Sequence, residues 1–269
     1  VSTSFTGDIY SKGSWGLSNT TKYKIRYKYN GQFQFSYRNV IRGEKEFPDY
    51  NKSKEFFVRW NHQNDAKLNP GSTFKATINA GTATNFRNDY NNISAQNYLT
   101  NTFNSNIAWS KRFKGAISSN LNTSLRHTQN GNTGQMIFTL PEIAYNVNRF
   151  YPFKMLRKNS INKNFIHEII DQTNVNYQMN TKNQISLNSE NLFDGNPLDL
   201  FSNSKSGLRH NINASSSIKF FGKNVTINPA YILSSLWYLD QINKDWNDLN
   251  NEVVSDTVKG FSQVYSQNF

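Results

Sequence analysis

The chain has 269 residues and a formal net charge of +12, from 30 Lys and Arg against 18 Asp and Glu. The absence of cysteine excludes disulfides, thiolate metal sites and a cysteine nucleophile. No apolar run approaches the roughly 18 residues of a membrane-spanning helix, yet aromatic residues reach 14%, unlike a disordered chain. This composition favours strands with one polar face and one apolar face.

The clearest predicted element lies between Tyr23 and Tyr37. Its odd positions are aromatic or apolar apart from Gly31, and its even positions are cationic or polar, a period of two that predicts a strand. Asn30-Gly31 is a hairpin signal, but a two-residue turn would place aromatic residues opposite polar ones. A three-residue loop or a continuous strand preserves the parity. We favour one long strand with a glycine kink.

Weaker alternation recurs along the rest of the chain. It covers residues 56–60, 74–80, 99–109, 117–125, 174–180, 208–220 and 225–233. Polar connections separate these segments, for example residues 61–72, 84–97, 128–133 and 158–164. The spacing predicts about ten to twelve strands. Short helices are predicted only at Phe165–Asp171 and Asn196–Phe201.

The pattern predicts an all-β fold, an antiparallel transmembrane β-barrel of the outer-membrane type, present here as a partial barrel. An alternating run of 15 residues is too long for a soluble sandwich, whose strands usually have about five or six residues. Aromatic residues such as Trp109, Tyr151 and Trp237 lie near predicted strand ends, where interfacial belts place them.

The sequence carries no recognisable catalytic or metal-binding motif. The four histidines, His62, His127, His167 and His210, show no metal-ligand spacing. G-x-S-x-G and the phosphate-binding glycine motifs are absent. We therefore predict no enzyme activity, metal or cofactor. His62 and His127 are expected on a wet strand face or in a loop.

Two charged features have plain structural interpretations. Lys and Arg are spread along the whole chain, so the net charge does not indicate a nucleic-acid partner. Acidic residues gather in a polar stretch after Tyr238: Asp240, Asp245, Asp248, Glu252 and Asp256. This stretch is expected to be an extracellular or periplasmic loop.

Three stretches carry a family resemblance. Residues 7–37 contain the elements DIY, GSWGL and YKYNG, and residues 55–82 place W-x-H before an Asn-Pro turn. Residues 97–111 and 125–153 add the elements TLPE and RFYPF. In this order they resemble LptD, the lipopolysaccharide-assembly protein of the outer membrane (organic-solvent-tolerance family), in its Bacteroidetes form. The resemblance covers roughly the first 150 residues.

The resemblance implies an outer-membrane protein that translocates lipopolysaccharide and inserts it into the outer leaflet. It also implies an LptE-like lipoprotein plug, a periplasmic Lpt bridge protein and outer-membrane lipids as partners. Residues 1–269 are then expected to be a segment of a transmembrane barrel domain, with the periplasmic jellyroll and the remaining strands outside this chain.

Lys24, Arg26 and Lys28 are the candidate site residues. If the aromatic parity faces lipid, these three side chains point into the lumen and form part of an electropositive track for lipopolysaccharide phosphates. The alternative is an ordinary hydrated lumen wall. Two other functions stay open at this point: a generic porin or nutrient-uptake barrel, and a surface β-rich adhesin.

Overall fold

Strands dominate the computed structural model, which describes residues 1–82, 102–156, 165–188, 204–220, 224–247 and 252–269. The first eight strands are β1 (Ser2–Ile9), β2 (Trp15–Ile25), β3 (Tyr29–Arg42), β4 (Asn51–Asn64), β5 (Ser72–Gly81), β6 (Thr102–Phe113), β7 (Ser119–Asn130) and β8 (Gln135–Phe150). The later elements are α1 (Pro152–Leu156), α2 (Phe165–Asp171), β9 (Asn174–Asn188), β10 (Lys205–Ser215), β11 (Ile218–Phe220), β12 (Val225–Ile227), β13 (Ala230–Asn247) and β14 (Glu252–Asn268).

Twelve of these strands form one antiparallel sheet, which confirms the predicted fold class of a partial β-barrel. Their order is the chain order from β1 to β10, followed by β13 and β14, while β11 and β12 pair separately. β1 and β14 are the edge strands. The predicted helix at Phe165–Asp171 is confirmed, and Asn196–Phe201 lies outside the described residues. Within the described ranges, no helix is long and apolar enough to cross a bilayer.

The chain divides into two compact units. The first contains Val1–Ser110, Thr123–Pro141 and Gln184–Ser204, and the second contains Lys111–Asn122, Glu142–Asn183 and Lys205–Phe269. In the first unit, Val40, Phe57, Ala76, Phe103 and Met136 are buried apolar residues.

The first long alternating run is a hairpin, so our prediction of one continuous strand is wrong. β2 ends at Ile25, residues 26–28 form a three-residue turn, and β3 begins at Tyr29. Tyr23 then pairs with Gly31 and Ile25 with Tyr29, so odd positions oppose odd positions. The alternative of a three-residue loop preserved this parity. The aromatic side of the sheet continues into β4, where Phe33 pairs with Trp60 and Tyr37 with Phe56.

Two glycines allow aromatic rings to lie against the sheet. Gly31 faces the Tyr23 ring, and a Cβ there would also lie 2.6 Å from the Asn61 carbonyl oxygen. Gly81 pairs with Phe57, and the Phe57 and Phe103 rings approach to 6.2 Å between centroids. A side chain at either glycine would occupy space that a ring or a neighbouring backbone already fills.

The alternation in β6 shifts near Ser105. Its hydroxyl accepts a hydrogen bond from the Asn79 amide (3.0 Å) and donates one to the Asn79 carbonyl (2.8 Å). On one side of Ser105, Phe103 meets Phe57, which lies on the polar side of β4. On the other side of Ser105, Trp109 donates a hydrogen bond to Ser72. Ser72 has the parity of Ala76 and Ile78 in β5, which lie on the side of the sheet opposite to Phe57. An irregularity of this kind in a strand changes the face to which the following side chains point.

The described part of the acidic stretch after Tyr238 lies in two paired strands, so the loop prediction is wrong there. Asp240 and Asp245 lie in β13, and Glu252 and Asp256 lie in β14, with Asp240 opposite Lys259 in the register. Asp248 lies outside the described residues. Val253 pairs with Trp246 and Val258 with Gln241 in the same register. Pairing between two long strands therefore continues through a segment whose carboxylates suggested a loop.

Candidate functional site

The register of β2–β5 separates two chemically different faces. We call the side that carries Tyr37, Phe35 and Trp60 the aromatic face, and the opposite side, with Gln34 and Arg59, the polar face. The polar face of β1–β5 carries the cations Lys22, Lys24, Arg38, Arg42, Arg59 and Lys75, and the acids Asp8 and Glu55. Six cations against two acids give this face a net positive charge.

The structure places the three predicted site residues in two settings. Lys24 lies in β2 on the polar face, opposite Asn30. Arg26 and Lys28 lie in the turn that joins β2 to β3, where strand alternation no longer directs their side chains. All three are exposed, and within the described part of the chain none of them has a carboxylate at ion-pair distance.

A buried ion pair on the polar face was not found from sequence. Arg38 and Glu55 are cross-strand partners, and Arg38 Nη2 lies 3.7 Å from Glu55 Oε2. Ser53 Oγ also donates to Glu55 Oε1 (3.3 Å), and Glu55 is fully buried. Only the register of β3 against β4, which residue types do not reveal, brings these charges together.

Arg59 is fixed to the sheet, in contrast to Lys24. Its Nε donates to Asn79 Oδ1 (3.0 Å), and its guanidinium carbon lies 5.1 Å from the centre of the Phe57 ring. The side chain therefore lies along the polar face. An arginine held in this way keeps its charge in a defined position.

The aromatic face carries an aromatic cluster of Tyr23, Tyr29, Trp60, His62 and Phe74. His62 Nδ1 shares a hydrogen bond with Tyr23 Oη (2.8 Å), and Trp60 Nε1 donates to the same oxygen (2.8 Å). The Tyr29 and Phe74 rings lie 5.5 and 5.6 Å from that of His62. His62 therefore lies on a strand, one of the two expected settings, and on the aromatic face of that strand.

His127 also lies on a strand and not in a loop. It is half-buried in β7, its ring centroid is 4.8 Å from that of Phe138, and it lines a groove of about 660 Å³ in the first unit. Ile78, Ile107 and Leu125 contribute to the apolar lining of this groove. Among the described residues, no group of three acidic or histidine side chains could hold a metal ion.

A related arrangement occurs within the second unit. Tyr177 Oη and His210 Nδ1 are 2.6 Å apart, and the rings of His210 and Trp237 are 4.4 Å apart between centroids. His210 pairs with Ser235 and Leu208 pairs with Trp237, so this cluster lies on the face that also carries Ile212. Tyrosine, tryptophan and histidine with polar tips suit a membrane–water interface.

The protein has long antiparallel strands with one aromatic and one cationic polar parity. These features are those of an outer-membrane β-barrel type of protein. The family described as LptD protein matches residues 1–269. The chain therefore belongs to the LptD family, a family of outer-membrane components of lipopolysaccharide transport. The match extends past the first 150 or so residues that carried the resemblance. Searches among curated proteins and among solved structures each found no match.

Proposed function

We propose that this chain translocates lipopolysaccharide across the outer membrane and inserts it into the outer leaflet. The observation that carries the proposal is the division of β2–β5 into an aromatic face and a cationic polar face. Lipopolysaccharide has acyl chains and phosphorylated sugars, so its passage needs an apolar environment for the chains and a cationic environment for the phosphates. Charge-assisted hydrogen bonds from Lys and Arg suit the phosphates.

Lys24, Arg26 and Lys28 are the proposed contacts for these phosphates. Lys24 extends the row of cations on the polar face, and Arg26 and Lys28 continue the positive charge around the turn at the end of that face. Their exposure, and their lack of ion-pair partners among the described residues, leave them available to an anionic ligand.

The wider setting follows from the same proposal. The chain lies in the cell outer membrane as a segment of a transmembrane barrel domain, and β1 and β14 pair with further strands. An LptE-like lipoprotein and a periplasmic Lpt bridge protein are the proposed partners. Support comes from family membership and from the free backbone groups of the two edge strands, which need partners in a lipid environment.

A triple variant tests the export function. Lys24→Gln, Arg26→Gln and Lys28→Gln together are expected to reduce lipopolysaccharide at the cell surface at least several-fold when this copy replaces the natural protein. Lys45→Gln, Lys52→Gln and Lys54→Gln form the control, because they remove the same charge at the opposite ends of β3 and β4. Unchanged surface lipopolysaccharide at equal barrel levels in the triple variant would reject the proposed contacts.

A further inference from the structure

Two neighbouring hairpin turns in the first unit meet at one end of the sheet. The first is residues 26–28 between β2 and β3, and the second is residues 65–71 between β4 and β5. The Asp65 amide donates to the Lys28 carbonyl (2.8 Å), which joins the two turns directly. We call residues 26–28 and 65–71 the turn pair.

Tyr27, at the centre of the first turn, has an unusual backbone conformation. Its φ is 60°, in the left-handed region that Gly, Asn and Asp adopt at low cost and that a bulky side chain adopts rarely. Its side chain is 48% exposed, so burial of the ring does not explain the strain. Strain of this kind, kept at an exposed position, points to a function for the side chain.

The Tyr27 ring holds two cations. The Arg26 guanidinium carbon lies 4.7 Å from the ring centre, and Lys67 Nζ lies 4.8 Å from it. Each cation is attracted to the electron-rich π system of the ring, which offsets part of the repulsion between the two like charges. One exposed ring therefore contacts both an arginine and a lysine at the surface.

The positive charge of the turn pair has little internal compensation. Asp65 is the single carboxylate in these two turns, and its Oδ1 accepts a hydrogen bond from the Lys67 amide (2.9 Å). Within the part of the chain that the structure describes, no carboxylate reaches ion-pair distance of Arg26, Lys28 or Lys67. An anion bound here would replace repulsion among cations with attraction.

The turn pair adjoins the aromatic cluster. Tyr23 and Tyr29 flank the first turn within three residues of its ends, and His62 lies three residues before Asp65. Aromatic residues with polar tips lie at head-group level in membranes. In the second turn, Leu68 is 45% exposed. The turn pair is therefore expected at the depth of the lipid head groups in the membrane.

We infer that the turn pair binds the phosphate of an anionic lipid head group, with Arg26 and Lys67 as its charged ligands and Tyr27 as the platform that holds them. This rests on the proposed function only for the placement of the strands in a membrane. Lipid binding by the turn pair does not require that lipopolysaccharide is exported, and Lys67 and Tyr27 are not among the proposed export contacts.

The test measures lipid retention by the full protein purified in detergent. Native mass spectrometry would follow binding of phosphatidylglycerol, with zwitterionic phosphatidylcholine for comparison. Lys67→Gln is expected to weaken phosphatidylglycerol binding by about tenfold, as loss of one charge-assisted contact does. Lys52→Gln, an equal charge change at the other end of β4, is expected to leave it unchanged. Equal weakening in both variants would overturn the inference.

Variants of Tyr27 provide a second test, which separates an effect on lipid binding from an effect on stability. Tyr27→Asn is expected to raise the urea concentration needed for unfolding, because Asn tolerates a positive φ, while it weakens phosphatidylglycerol binding several-fold. Tyr27→Phe keeps the ring and should retain binding. Unchanged lipid binding in Tyr27→Asn, with a folded protein, would refute the platform role.

Competition identifies the source of the phosphate. Purified lipopolysaccharide, phosphatidylglycerol and inorganic phosphate would each be added as a competitor to protein that already holds phosphatidylglycerol. If lipopolysaccharide displaces the bound lipid at a lower concentration than phosphatidylglycerol does, the turn pair is assigned to the transported lipid. If lipopolysaccharide needs a higher concentration, the turn pair is assigned to a phospholipid. Either outcome supports the inference, whereas displacement by inorganic phosphate as effective as by both lipids would overturn a lipid site.

Discussion

The carboxylate of Glu55 is fully buried on the polar face, and Arg38 Nη2 lies 3.7 Å from it. A buried ion pair adds little net stability compared with apolar residues of similar volume, but removing one partner leaves an uncompensated buried charge. Glu55→Leu is therefore expected to lower the free energy of unfolding by about 3–5 kcal/mol. Denaturant unfolding of the protein in detergent micelles measures this.

A double variant separates charge from packing at this position. Arg38→Met combined with Glu55→Leu is expected to recover most of the lost stability, because neither charge then remains buried alone. Lys54→Gln, next to Glu55 but exposed, should change stability by no more than about 0.5 kcal/mol. If the double variant is as unstable as Glu55→Leu alone, the ion pair is not the reason for the loss.

At the scale of the strand, glycines decide where aromatic rings can lie. A Cβ at Gly81 would lie 2.5 Å from the Phe56 carbonyl oxygen and 3.1 Å from Phe57 Cα, whereas a Cβ at Gly260 in β14 meets nothing within 4 Å. Gly81→Ala is expected to cost about 1–3 kcal/mol through forced backbone shifts, and Gly260→Ala no more than about 0.5 kcal/mol. The same unfolding assay compares them, and equal losses would contradict the packing argument.

Alternation between polar and apolar residues predicted strands such as β4, β5 and β7, because side chains of a strand point to opposite faces whatever its neighbours are. It did not predict β1, β8 or β14, which fall in none of the predicted segments. The position of the first turn could not be predicted in this way. Asn30-Gly31 has the composition of a turn, but Gly31 is needed for the close approach of Tyr23 and Asn61. The turn instead contains Tyr27, whose positive φ no residue preference indicates.

The candidate site was predictable only in part for a related reason. Lys24 could be assigned to the polar face from its parity, which the register confirms. Lys67 could not be associated with Arg26, because their shared contact with Tyr27 joins two turns that are about 40 residues apart in the chain. Contacts across strands depend on register, and register is a property of the folded sheet.

For the whole molecule, the orientation of the two faces is the property on which the membrane interpretation depends. The chain has no cysteine, so single cysteines at Phe33, Gln34, Phe35 and Ser36 can each carry one spin label. In liposomes, labels at positions 33 and 35 are expected to be accessible to oxygen, which concentrates in lipid. Labels at positions 34 and 36 are expected to be accessible to a water-soluble nickel complex.

The accessibility of these labels distinguishes a transmembrane barrel from a soluble β-protein. A transmembrane barrel exposes the aromatic parity to lipid and the polar parity to water, because every strand separates these two solvents. A soluble β-sandwich would bury the aromatic parity against a second sheet, and neither reagent would then reach positions 33 and 35. Protection of both positions from oxygen would remove the membrane placement, and with it the proposed transport function and the lipid site at the turn pair.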